Sequence, residues 1–266
     1  MPEVGKHQLE NNFFVLPNYP EETGYFQKFE STAFNFERIH ISTLAMDFPD
    51  GTTKKERNEI EKEWIENLPL LENVKHLSIR HRVNQPYFEA ICKMKNLESI
   101  YFWTSTVEDL NSLKNLPSLI SLHLQRFSKL IDISPLLEIK SLNRLSIENC
   151  FNIKNYDEIG KMEQLIALGI EGDTFAPKNL ILESLRPFSE LTNLKHLNLD
   201  TTSIRDKSFT ELLKLENLVR LDAMWRMKKD IRNKIKKEHQ SLKSGFFMVY
   251  DFEKNEFYDG IEWWID

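Results

Sequence analysis

The chain has 266 residues, 41% of them hydrophobic and 29% charged, which is the makeup of a folded protein with room for two compact domains or one elongated array. Its net charge of −6 argues against a general nucleic-acid binder, which carries a basic excess. Two cysteines, eight glycines and apolar runs as short as Phe246–Val249 leave little material for a disulfide scaffold, a glycine-rich phosphate loop or a membrane-spanning helix.

The opening MPEVGKHQLENN lacks a basic segment followed by an apolar one, and no Asn-x-Ser/Thr sequon occurs, so the expected compartment is the cytoplasm. Residues 1–35 are rich in aromatics (Phe13, Phe14, Tyr19, Tyr25, Phe26, Phe29, Phe34) and are expected to wrap the first coil of a repeat array. Phe36–Ile41 reads as a strand. Thr53-Lys54-Lys55-Glu56 is a capping box, opening a helix with Ile60, Trp64 and Leu68 on one stripe.

The repeat runs from residue 70 to residue 226. Leucine-x-x-leucine-x-leucine recurs as Val74/Leu77/Ile79, Leu97/Ile100/Phe102, Leu119/Leu122/Leu124, Leu142/Leu145/Ile147, Leu165/Leu168/Ile170, Leu194/Leu197/Leu199 and Leu218/Leu221/Ala223. The first positions are 23, 22, 23, 23, 29 and 24 residues apart, so one supersecondary unit is being copied. Each copy continues with apolar residues about three apart, as in Leu130, Ile133, Leu136 and Ile139, which predicts a short 3₁₀ or α return. The interval of 29 contains an insertion, Gly172–Ser189, which reads either as a loop beside the binding face or as a longer return helix over Leu180–Leu185. After the array, Met227, Ile231 and Ile235 stripe a basic helix, read as a cap with a solvated face. The run from Phe246 onward predicts a hairpin turning near Lys254-Asn255. The chain thus divides into an N-terminal cap (1–69), an array of about seven repeats (70–226) and a C-terminal cap (227–266).

These repeats resemble the leucine-rich repeat family, and residues 131–150, IDISPLLEIKSLNRLSIENC, look most like its short class, internalin-like or phosphatase-regulator-like. The resemblance implies an α/β solenoid, a horseshoe with a parallel β-sheet on its concave face and short helices or 3₁₀ turns on its convex face. It also implies a small polar residue at the ninth position of each repeat. That column here reads Arg82, Ser105, Phe127, Cys150, Asp173, Thr202 and Arg226.

Strand alternation sorts the faces. Phe102 points inward with Leu97 and Ile100, and its neighbours Tyr101 and Trp103 point outward. The outward positions supply the candidate partner-binding residues: Tyr101, Trp103, His123, Gln125, Arg144, Glu148, Glu171, His196, Asn198, Asp200 and Asp222. Exposed aromatics are favoured interface anchors, although the N-terminal segment folding over Tyr101 and Trp103 would be an alternative use for them. Glu148, Glu171 and Asp200 fall in one column, and crowded carboxylates attract a cationic partner. The histidines on this face are too far apart for a metal. Cys92 and Cys150 lack a nucleophile's surroundings, and no cofactor motif is present. The expected protein is therefore a non-enzymatic module that grips a folded partner with a basic surface. An inhibitor or toxin-neutralising immunity role in a bacterium is expected first, and an adaptor of a phosphatase or kinase second. No catalytic, metal, nucleic-acid or membrane site is expected.

Overall fold

The structure, a computed structural model, describes residues 14, 16, 18–173, 176, 178–223, 227–251, 256 and 257. The chain packs as two compact units. One comprises Asn18–Leu142 and Cys150–Asn155, the other Met1–Pro17, Asn143–Asn149 and Tyr156–Asp266.

The first unit holds β1 (Gly24–Phe26), β2 (Arg38–Ile41), α1 (Lys54–Asn67), β3 (His76–Val83), α2 (Gln85–Ile91), β4 (Ser99–Ser105) and β5 (Ser121–Gln125). The five strands are parallel neighbours in chain order. Their inward residues form stacked rungs: Ile39–Leu77–Ile100–Leu122 and Ile41–Ile79–Phe102–Leu124, each residue at most 2% exposed. The returns over Asn111–Asn115 and Ser134–Glu138 are 3₁₀, and bury Leu113 and Leu136. The first return is instead the α-helix α2, started by Asn84, whose side chain accepts from the Tyr87 amide at 3.0 Å.

β1 is an additional strand that Gly24-Tyr25-Phe26 is too short to announce by periodicity. Its glycine is required by close approach, because a Cβ there would lie 2.8 Å from the Phe36 ring. The cap closes around Trp64, fully buried on α1, with Phe26 and Phe29 meeting it edge-on at ring distances of 6.1 and 5.4 Å. The helix begins where its capping box places it: the Glu56 amide donates to Thr53 Oγ1 (3.2 Å) and the Thr53 amide to Glu56 Oε2 (2.7 Å). Thr53→Ala is expected to cost about 1 kcal/mol in denaturant unfolding. A loss near zero would mean that packing of Trp64 and Leu68 alone fixes the helix start.

The ninth-position column needs one correction. β3 is one residue longer than β4, and its register with β4 shifts between Ile79 and Arg82, so that Val83 pairs with Ser105. A β-bulge absorbs one extra residue, which makes Val83, not Arg82, the equivalent of Ser105. The bulge also turns His81 inward, where it is 3% exposed and meets Tyr87 edge-on at 4.9 Å. Elsewhere small polar ninth residues bond to backbone. Ser105 Oγ donates to Val83 O (3.0 Å), the Phe127 amide donates to Cys150 Sγ (3.3 Å), and Thr202 Oγ1 donates to Ile170 O (2.6 Å). Phe127 instead fills the core, fully buried, edge-on to Phe102 at 5.7 Å. Arg226 lies outside the described residues.

The second unit holds β6 (Arg144–Glu148), β7 (Ala167–Glu171), β8 (Leu180–Leu182), β9 (His196–Asn198), β10 (Thr202–Ile204) and β11 (Arg220–Asp222). β6, β7, β9 and β11 are parallel neighbours in that order, with 3₁₀ returns over Tyr156–Lys161, Arg186–Glu190 and Phe209–Lys214. The eighth repeat position is left-handed at Arg126, Asn149 and Thr201, with φ 54°, 56° and 54°. The insertion does not form a return helix over Leu180–Leu185, and its residues 174, 175 and 177 lie outside the described residues. Leu180–Leu182 is a strand that pairs in parallel with β10 and buries Leu180 and Leu182 while Ile181 faces out. Its period of two is visible in the sequence but too brief to outweigh a helical spacing. After β11 come α3 (Lys229–Glu238), α4 (Phe246–Val249), β12 (Tyr250–Asp251) and β13 (Glu256–Phe257), the last two antiparallel. Phe246–Val249 is thus a helical turn rather than hairpin strand, placing Phe247 fully inside. The expected turn at Lys254-Asn255 lies outside the described residues.

Candidate functional site

In the first unit the outward strand positions form rows. Arg38–His76–Ser99–Ser121 is one row and His40–Ser78–Tyr101–His123 the next, with Tyr25 of β1 beside His40. Tyr101 stacks on His123 (4.2 Å, 22°) and its hydroxyl donates to Gln125 Oε1 at 3.3 Å. Trp103, 37% exposed, is capped by the Arg80 guanidinium 4.5 Å from its ring centre. Tyr25 is 61% exposed and its ring lies 5.5 Å from that of His40. An open cavity of ≈ 380 Å³ runs beside this row, its lining including Tyr25, Lys28, Glu30, His40, Asp47 and Arg80.

Part of the N-terminal segment does lie on this face, but on the other row. The Tyr19 ring meets His76 edge-on at 4.8 Å, and the Arg38 guanidinium sits 4.2 Å from its centre while donating to Pro20 O at 3.1 Å. His76 is left 2% exposed, and burial, with Arg38 and Lys75 nearby, pushes its pKa down to about 4. His40 is lowered by burial and then by Arg80, so both imidazoles are neutral near pH 7 and exchange hydrogen bonds with Ser99 and Ser78 respectively.

In the second unit the rows are Arg144–Ala167–His196–Arg220 and Ser146–Gly169–Asn198–Asp222, with Glu148 paired to Glu171. Here the expected site residues divide. Glu148, Glu171, Asn198 and Asp200 sit partly exposed on the outward side. Burial, reinforced by Glu148 and Asp200, raises the Glu171 pKa to about 8 against an opposing hydrogen bond from Asn198. Burial also raises Asp200, which accepts from the Thr201 amide at 3.0 Å. Arg144, half-buried, donates to Asn143 Oδ1 at 2.6 Å.

His196 and Asp222 are 5% and 4% exposed and are held within the unit. Asp222 Oδ2 accepts from His196 Nε2 (2.8 Å) and Arg220 Nε (2.7 Å), and Oδ1 accepts from the Phe246 amide of the cap (3.1 Å). Burial opposes its ionisation, but these donors hold the carboxyl at about 2, and burial keeps His196 below its ordinary value. The cover over His196 is Phe14, whose ring lies 5.1 Å away at 60°, with its Cζ 3.4 Å from where a Gly169 side chain would begin.

Sequence reading missed four participants: Phe14, Tyr19, Tyr25 and Arg80. Arg80 already lies at an outward position by strand alternation, and Tyr25 follows once β1 is known. No local pattern announces the long-range seats of Phe14 and Tyr19.

Among the described residues, no group of three or more His, Cys, Asp or Glu converges to hold a metal, and no helix is long and apolar enough to cross a membrane. Cys92 and Cys150 are buried free thiols.

No protein-family model and no curated protein matches the sequence. Solved structures do. An internalin (InlF) from Listeria monocytogenes aligns over 83% of this chain at 15% identity, TM-score 0.47. Internalin C2 from the same species aligns over 68% at 18% identity, TM-score 0.46. A leucine-rich repeat protein from Leptospira interrogans aligns over 82% at 18% identity, TM-score 0.46. The chain spans 66%, 74% and 63% of those three proteins, respectively. Its own seven-fold repeat, parallel rung register and 3₁₀ returns give the chain a leucine-rich repeat fold.

Proposed function

We propose that the chain is a non-enzymatic protein-binding module and that the outward strand face of its first unit is the principal contact. The observation that carries this reading is the partly exposed Trp103, gripped by Arg80, beside the Tyr101–His123 stack. Rigid aromatics with a polar handle bury much area at little entropic cost, and tryptophan, tyrosine and arginine dominate interface energetics. Tyr19 covers the neighbouring row, at His76. Glu148, Glu171 and Asp200 crowd on one face, and a basic partner surface would relieve that crowding. Two buried free thiols suit a reducing cytoplasm. Within this reading we favour an inhibitor, of the kind that neutralises a toxin in a bacterial cytoplasm.

Capture from the source organism's lysate, followed by titration of the recovered partner, tests the face. Tyr101→Ala/Trp103→Ala is expected to weaken the complex at least about tenfold. Glu148→Ala/Glu171→Ala/Asp200→Ala is expected to weaken it most at low salt. Affinity unchanged in the aromatic double variant would move the interface elsewhere.

A further inference from the structure

The charged groups that line the first unit's cavity are not equally engaged. Its two carboxylates accept hydrogen bonds from their own loops: Asp47 Oδ2 from the Leu44 amide (2.9 Å) and from Ser42 Oγ, Glu30 Oε2 from Thr32 Oγ1 (3.4 Å). Its two cations, Lys28 and Arg80, have no hydrogen-bond acceptor and no ion pair among the described residues. Lys28 is exposed, but Arg80 is partly buried, with its Nε out of solvent and unbonded. Desolvated donors of this kind cost free energy until an acceptor meets them. Arg80 owes its position to the bulge in β3. The strand pairs with β4 as far as Ile79–Phe102 and again from Arg82–Thr104, so Arg80 and His81 together stand opposite Trp103 alone. His81 turns inward, and the Arg80 guanidinium lies over the Trp103 ring at 4.5 Å from its centre. The ring offers the charge a π face but no oxygen, so the N–H fork stays open.

We infer that this cavity receives the carboxylate of an aspartate or glutamate side chain borne by the protein partner, with Arg80 as its fork and Tyr25 and Trp103 as flanking apolar contacts. A guanidinium edge matches the two oxygens of a carboxylate, and such a pair is strong because both members are charged. One negative charge fits better than the near-double charge of a phosphate group, because Asp47 and Glu30 border the same space. The cavity is open, and the aromatics beside it are exposed, Tyr25 by 61% and Trp103 by 37%. That is the makeup of an interface anchor; a site for a small acid encloses most of its ligand. The inference rests on the proposed contact at Trp103 and names the chemistry that the partner brings to it. The basic surface suited to Glu148, Glu171 and Asp200 belongs to the second unit's face and is a separate contact.

The test titrates the full nitrogen-15-labelled chain with acetyl-Leu-Glu-Leu-amide, its neutral counterpart acetyl-Leu-Gln-Leu-amide, propionate and inorganic phosphate. The Arg80 Nε–H and Trp103 Nε1–H signals report binding. The glutamate peptide is expected to bind at least about tenfold more tightly than the glutamine peptide and to shift both signals. Arg80→Met is expected to abolish that preference, and Arg80→Lys, which keeps the charge but not the fork, to retain only part of it. Equal affinity for the two peptides, or a preference that survives in a folded Arg80→Met chain, overturns the inference. If Arg80→Met fails to fold, nuclear Overhauser contacts in the wild-type chain decide. Contacts from the glutamate methylenes to the Tyr25 and Trp103 rings support the inference, and their absence overturns it. Propionate binding as tightly as the glutamate peptide would make the ligand a small acid, and tighter binding of phosphate would make it a phosphoryl group; either result overturns a carboxylate borne by the partner. Loss of the acid preference with the Tyr101/Trp103 effect on the partner intact removes only this inference. An intact acid preference with partner affinity unchanged in Tyr101→Ala/Trp103→Ala removes the proposed contact and keeps the carboxylate site.

Discussion

Phe102→Ala is expected to lower stability by about 3–5 kcal/mol, the range for truncating a fully buried aromatic. Phe102 has no exposed surface. Its ring is flanked by Phe88 at 5.8 Å and Phe127 at 5.7 Å, and its register partners are Ile79 and Leu124. The cavity left by truncation would have coils on both sides, each held by its own ladder of strand hydrogen bonds, so the walls cannot collapse to fill it. Tyr101→Ala and Trp103→Ala, one position away on either side, are expected to cost about 1 kcal/mol or less, because their rings lie on the outward face. Urea unfolding of the three variants measures the contrast. Since stacked repeats need not unfold in one step, hydrogen exchange of β4 should accompany the midpoints. A Phe102→Ala loss no larger than that of Tyr101→Ala would reverse the register of this strand.

That register is legible because two periods coincide in the sequence. A repeat of 22 to 24 residues aligns the coils, and alternation within leucine-x-x-leucine-x-leucine assigns each residue a face; Tyr101 opposite His123 and Glu148 opposite Glu171 are both consequences. The bulge in β3 is hidden because one extra residue gives a spacing of 23, a value the normal repeats also take. β8 is hidden because three residues cannot display a period. The state of the outward residues is less legible than their direction. Asp222 faces the side predicted, but Arg220 two residues before it and the Phe246 amide 24 residues after it hold its carboxyl inside. Gly169 reads as an exposed small residue until Phe14, more than 150 positions away in sequence, is placed upon it. Contacts of this kind depend on shape across the fold, and local composition carries no trace of them.

Glu171→Gln is expected to raise the melting temperature at pH 8 by several degrees and to flatten the pH profile above neutrality. With its folded pKa raised to about 8 from an ordinary 4.5, Glu171 holds a proton in the native state that the unfolded chain releases. Stability therefore falls as pH rises from about 4.5 to 8, each unit of difference corresponding to about 1.4 kcal/mol before allowance for solvent. His76 and His81 act with the opposite sign. Burial lowers both to about 4 from 6.5, so the unfolded chain takes up protons first and stability falls as pH drops from 6.5 to 4. The two trends oppose one another between 4.5 and 6.5, where two histidines outweigh one glutamate, and only the glutamate acts above 6.5. The wild-type melting temperature should accordingly peak near pH 6.5. Glutamine reproduces the protonated carboxyl in shape and can still pair with Asn198, so the variant should keep the acid limb and lose the alkaline one. Phe14→Ala supplies an internal control, because Phe14 and Glu171 Oε1 border the same Gly169 and uncovering the carboxylate should also reduce the alkaline fall. Parallel profiles for wild type and Glu171→Gln between pH 6.5 and 8.5, measured by calorimetry, would show that Glu171 is already ionised and solvated at neutral pH.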